Sequence, residues 1–125
     1  MSKTKKISKG TVDVVTLGCS KNLVDSEQLM RQFDALGYKV RHDAENPDGD
    51  IVIINTCGFI GDAKEESINT ILQFADRRRK NKMDKLFVMG CLSERYHKDL
   101  EEEIPEVDKF YGKLNYTNIL KYLGQ

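Results

Sequence analysis

Three cysteines each close an apolar, strand-like run. Val12–Gly18 leads to Cys19, Ile51–Thr56 to Cys57 and Leu86–Gly90 to Cys91. In an open parallel sheet, ligands bind at the carboxyl ends of the strands, so three thiols delivered to that edge form a candidate for one site built from three βα loops. Three thiolates with a vacant fourth position suit an iron–sulfur cluster with one iron open to a further ligand. Each cysteine also has small neighbours: Gly18 and Ser20, Thr56 and Gly58, and Gly90. Glycine there permits close backbone approach, and helices starting soon after each cysteine would turn positive dipole ends toward thiolates or an anionic cluster.

Competing chemistries fit less well. A free cysteine is also a small buried hydrophobe, so each one alone reads as packing, and only their joint placement favours a site. Structural zinc usually takes four ligands in short pairs such as C-x₂-C. Neither His42 nor His97 reads as standing at a strand end, so a fourth protein ligand is not evident. A C-x-x-C redox pair, the G-x-G-x-x-G fingerprint and the G-x₄-G-K-[ST] phosphate loop are all absent. A phosphatase loop would want Arg where Asp25 stands. The polar residues Lys21, Asn22, Asp25, Ser26 and Glu27, close behind Cys19, serve equally as helix-capping and first-turn groups or as supports for a cluster or substrate, and Asn55, just before Cys57, is a further candidate for that support.

The elements that must position these residues alternate. Strands are expected at Val12–Leu17, Tyr38–His42, Ile51–Asn55, Lys85–Met89 and, weakly, near Val107–Tyr111. Helical period puts Leu29, Met30, Phe33 and Leu36 on one face, with Gly37 as the C-terminal cap. A second helix, Asp62–Lys80, carries Ile68, Ile71, Leu72 and Ala75 on one face, with Asp62 and Glu65 spaced as a capping box. A third begins near Ser93 and stops before Pro105, and Tyr116–Leu123 reads as a short fourth. Asn46-Pro47-Asp48-Gly49 is a turn. The alternation predicts a doubly wound, open parallel α/β sheet of about five strands, flavodoxin- or Rossmann-like, with order 2-1-3-4-5 and helices on both faces. In that order the three cysteine-bearing strands are adjacent.

Bulk properties narrow the class. The 125 residues make one domain, large enough to bury about two-thirds of its unfolded-chain surface. Residues 1–10 read as a disordered basic tail and 11–125 as the domain. Twenty basic side chains balance twenty acidic ones, so no whole-chain field points to nucleic acid or a membrane. Arg77-Arg78-Arg79-Lys80 reads as solvated basic residues complementing a helix end rather than as a direct nucleic-acid contact, and Glu101-Glu102-Glu103 as a solvated face. No apolar run approaches the roughly 20 residues that span a bilayer. An odd cysteine count behind a start that lacks a signal-peptide core points to a reducing, cytoplasmic setting.

Taken together, Leu17-Gly18-Cys19-Ser20-Lys21-Asn22-Leu23-Val24-Asp25-Ser26-Glu27, Asn55-Thr56-Cys57-Gly58-Phe59-Ile60, Glu65-Glu66-Ser67-Ile68 and Gly90-Cys91-Leu92-Ser93-Glu94-Arg95-Tyr96 resemble the N-terminal domain of the radical-SAM methylthiotransferases. The resemblance covers nearly all of 11–125. The wording after Cys19 and at Cys57 is most similar to the branch that modifies a ribosomal protein; the tRNA-adenosine branch typically reads Cys-Gln-Met-Asn.

The resemblance implies that Cys19, Cys57 and Cys91 hold an auxiliary 4Fe–4S cluster whose fourth iron is free to carry the sulfur or methylthio group. It further implies a central domain with a second 4Fe–4S cluster and S-adenosylmethionine on a C-x₃-C-x₂-C motif, and a C-terminal TRAM domain. In the ribosomal branch the substrate is the β-carbon of an aspartate in a small-subunit protein. No C-x₃-C-x₂-C or TRAM segment is present in these residues, so the chain is expected to be one domain of a longer enzyme, inactive alone, with the radical-SAM domain as its partner in cis. The alternatives are the same domain of a tRNA-adenosine methylthiotransferase, or a non-catalytic α/β binding module with structural cysteines.

Overall fold

Ile51–Thr56 is buried at every position, and Lys85–Gly90 at every position after the first. Strands with this pattern are covered on both faces, which is the signature of an interior parallel strand. The computed structural model describes residues 10–17, 20–43, 49–56, 61–80, 83–90 and 97–111, with residues 20–23, 61–64 and 97 described by their backbone. Their elements run β1 (Thr11–Thr16), α1 (Ser20–Ala35), β2 (Lys39–His42), β3 (Ile51–Thr56), α2 (Gly61–Arg79), β4 (Lys85–Gly90), α3 (His97–Glu103) and β5 (Lys109–Phe110).

All four strand pairings are parallel and the order is β2-β1-β3-β4-β5. The expected five-stranded open sheet is therefore present, with its order. Side chains alternate strictly between two cores, as the period of two requires. Val12, Val14, Ile51, Ile53, Phe87 and Met89 pack with Leu29 and Phe33 of α1. Val52, Ile54, Leu86 and Val88 pack with Ile71, Phe74 and Ala75 of α2 and with Leu100 of α3. Helices thus cover both faces, with α1 on one and α2 and α3 on the other.

The end of α1 follows the sequence closely. Gly37 has φ +100°, its N–H donates to the Asp34 carbonyl at 3.1 Å, and Tyr38 N–H donates to the Phe33 carbonyl at 3.1 Å. Phe33 and Tyr38 meet edge to face, with ring centroids 5.2 Å apart. These two bonds and the apolar contact constitute a Schellman cap, in which the left-handed residue is free of penalty only as glycine.

Two details differ from expectation. Leu72 is 48% exposed, and Phe74 is buried in its place on the inner face of α2. The basic run at the end of α2 is tied into the domain. Arg78 forks onto Asp108 at 3.1 Å for both bonds, Arg79 pairs with Asp76 and Glu106, and Lys80 pairs with Asp76 at 3.1 Å. Asp108 also accepts the Leu86 N–H at 2.8 Å, so the Arg78 pair fastens α2 to the turn that enters β5. The basic tail, the turn residues Asn46, Pro47 and Asp48, the Ser93 cap and the Tyr116–Leu123 helix lie outside the described residues.

Candidate metal centre

The carboxyl edge of the sheet brings together the ends of the strands that lead to the three cysteines. Thr16 is the register partner of Asn55, and Thr56 of Gly90; Leu17 N–H continues the ladder onto the Asn55 carbonyl at 2.9 Å. Cys57 and Cys91 are the residues directly after the partners Thr56 and Gly90, and Cys19 follows Leu17 by two. The cysteines themselves lie outside the described residues. Neighbouring strands sit about 4.8 Å apart, a spacing that suits a donor set of three thiolates on one small cluster. Among the described residues no group of three or more His, Cys, Asp or Glu is placed to hold a metal ion.

Just beneath this edge lies a buried polar group. Ser26 lies on the inward face of α1, one turn ahead of Leu29 and two ahead of Phe33, and all three are fully buried. Its Oγ lies 2.7 Å from Thr16 Oγ1 and accepts a hydrogen bond from Asn55 Nδ2 at 3.0 Å. Asn55 is also fully buried, and the bond from Nδ2 answers part of the cost of placing its amide in the interior. On the neighbouring strand pair, Thr56 Oγ1 donates to the Met89 carbonyl at 2.7 Å, joining the ends of β3 and β4.

The outer side of β1 is fastened as well. Thr16 Oγ1 is 2.8 Å from His42 Nε2, and Thr16 N–H donates to Asp43 Oδ1 at 2.8 Å. Asp43 takes φ +50°, a left-handed conformation that Asp tolerates better than most residues, and its own N–H donates to the Val14 carbonyl at 2.9 Å. His42 Nε2 lies 3.3 Å from Asp43 Oδ2.

Of the polar residues singled out from the sequence, Ser26 and Asn55 are brought into direct contact. Asp25 precedes Ser26 on α1 and is partly exposed, while Lys21 and Asn22 fall in the first turn of α1 with side chains outside the described set. One expectation is corrected: His42 is the last residue of β2 and so does stand at a strand end, on the same edge as the cysteine-bearing strands, whereas His97 begins α3. Sequence reasoning passes over Thr16 and Asp43 as site residues. A polar residue closing an apolar strand, as Thr16 does after Val14-Val15, is the signal that could have found the first of them.

The family model described as "Uncharacterized protein family UPF0004" matches residues 11–112, most of the chain. The chain belongs to this family. It is 67% identical over 114 residues to a Bacteroides thetaiotaomicron protein named ribosomal protein uS12 methylthiotransferase RimO, covering 91% of the chain and 26% of that protein. Proteins of the same name from Porphyromonas gingivalis and Flavobacterium psychrophilum are 58% and 54% identical, over 91% and 98% of the chain and 26% and 28% of those proteins. This UPF0004 chain thus spans about a quarter of the length of the curated relatives it matches.

Proposed function

We propose that this chain is the N-terminal domain of a ribosomal-protein methylthiotransferase, and that Cys19, Cys57 and Cys91 bind a 4Fe–4S cluster on its sheet edge. The observation that carries the reading is the adjacency, in register, of the strand ends at Leu17, Thr56 and Gly90, joined to 54–67% identity with proteins named for that activity. When bound, such a cluster supplies an iron with an open position for an exchangeable sulfur ligand. The chain's own residues do the rest of the work here. The three thiolates bind, and α1, beginning at Ser20 directly after Cys19, turns its N–H groups and positive dipole end toward that loop. The Thr56–Met89 and Ser26–Asn55 bonds hold the strand ends that carry them.

The parent enzyme adds the radical-SAM domain in cis, with a second 4Fe–4S cluster and S-adenosylmethionine. Its substrate is ribosomal protein uS12, the protein for which the relatives are named, modified at the β-carbon of an aspartate in the cytoplasm. No helix among the described residues is long and apolar enough to cross a membrane.

The test is anaerobic reconstitution of the reduced chain with iron and sulfide, followed by iron counting and Mössbauer spectroscopy. About four irons per chain, lost in each of Cys19→Ala, Cys57→Ala and Cys91→Ala, supports the centre. A folded, reduced wild type that takes up no iron returns the cysteines to packing roles, and one zinc per chain with no visible absorbance makes the site structural.

A further inference from the structure

We infer that Thr16 is a positioning residue for the Cys19 arm of the centre, and that it acts as a brace whose side chain ties β1 to β2 and α1 and, through Ser26, to β3. The inference rests on the three-cysteine centre proposed above and adds residues that the centre itself does not name.

The paired backbone of β1 and β2 ends at Val14 and His42. The last backbone bond on that side of β1 runs from Asp43 N–H to the Val14 carbonyl at 2.9 Å. Two side chains take over: Asp43 Oδ1 receives the Thr16 N–H at 2.8 Å, and His42 Nε2 meets Thr16 Oγ1 at 2.8 Å. From the other direction the same hydroxyl meets Ser26 Oγ at 2.7 Å. Thr16 stands three residues before Cys19 and Ser26 seven after it. The Thr16–Ser26 bond therefore ties the end of β1 to α1 on either side of Cys19 in the sequence. Ser26 then receives Asn55 Nδ2 at 3.0 Å, and Asn55 stands two residues before Cys57. The chain His42–Thr16–Ser26–Asn55 is in this way a cross-tie between the launch points of two of the three thiols. A hydroxyl at position 16 is what completes it, because it can donate to one neighbour while accepting from the other. Groups bonded directly to metal ligands typically change metal affinity 10–100-fold when removed, and a brace acting through the backbone falls at the lower end of that range.

The experiment uses inorganic arsenite, As(OH)₃, which condenses with three thiols to form three As–S bonds and release three waters, and reports through sulfur-to-arsenic absorption in the near ultraviolet. It needs neither iron nor enzymatic turnover. For the reduced chain, Thr16→Val is expected to weaken arsenite binding about tenfold or more, Thr16→Ser to restore it, and Ser26→Ala to reproduce the loss. The double variant Thr16→Val/Ser26→Ala should lose no more than either alone, as members of one network do. Arg78→Ala, which loosens the far end of the domain, should leave arsenite affinity unchanged and so separates positioning from general stability. If Thr16→Val does not fold, Ser26→Ala read against Thr16→Ser decides the matter. Wild-type binding that needs all three cysteines, with unchanged affinity in Thr16→Val and Ser26→Ala, overturns the brace alone. A wild type that binds no arsenite through three cysteines overturns the centre, and the brace with it.

Discussion

Gly90 and Thr56 are register partners across β3 and β4, and a Cβ at position 90 would stand 2.5 Å from the Thr56 carbonyl oxygen and 2.7 Å from Asn55 Oδ1. Gly90 has φ +102°, so both backbone conformation and space demand glycine directly before Cys91. Gly90→Ala is expected to cost about 3 kcal/mol, combining a disfavoured torsion with displacement of β3 backbone. Urea titration followed by circular dichroism checks it; a loss below half that value would mean that the strands part easily at this edge.

Asp13 is 1% exposed and is held from two sides. Arg41 reaches it through Nε at 2.9 Å and Nη2 at 2.6 Å, and Gly49 N–H donates to Oδ2 at 2.6 Å. Removing the guanidinium leaves a buried carboxylate with reduced compensation. Arg41 is partly exposed, which places the cost of Arg41→Ala at about 2 kcal/mol, below that of breaking a fully buried pair. Arg41→Lys should recover only part of it, because an ammonium cannot reproduce the fork. Equal stability of all three proteins in a thermal melt would contradict this account.

The Schellman cap at Gly37 gives a smaller and cleaner effect. Gly37→Ala should lower stability by about 1 kcal/mol, a fall in melting temperature of roughly 4 °C for a domain of this size. Hydrogen exchange should show the loss at Tyr38 and Gly37 N–H, with the sheet edge unaltered.

Arg78→Ala removes a forked pair with Asp108 that is itself only partly buried. The expected cost is about 1 kcal/mol, and it should shrink when the wild type is compared in high salt. An unchanged difference between low and high salt would assign the effect to lost packing of the arginine stem instead.

Local chemistry in the sequence specifies much of this domain. Strand and helix periods, β-rich apolar runs and Gly37 are readable because period and torsion are properties of neighbouring residues. The parallel sheet and its order follow from alternation and the handedness of crossovers, and they account for the adjacency of β1, β3 and β4. Leu72 departs from its expected face because a 3.6-residue period leaves flanking positions such as 72 and 74 close to the edge of the buried stripe, where packing against the sheet decides which one turns inward.

By itself, then, the sequence determined the doubly wound fold, the three strand ends that precede Cys19, Cys57 and Cys91, and the cap that ends α1. Only the tertiary structure decided that Thr16, Ser26, His42 and Asn55 meet. Thr16 and Ser26 are ten residues apart, Ser26 and Asn55 twenty-nine, and Thr16 and His42 twenty-six. Their contacts depend on strand register, on the turn of β2 at Asp43 and on the rotation of α1 about its axis. The same holds for Arg78 and Asp108, thirty residues apart. Hydrogen bonds are short-ranged and directional, so a shift of one residue in register would part these groups while leaving every local pattern in the sequence unchanged.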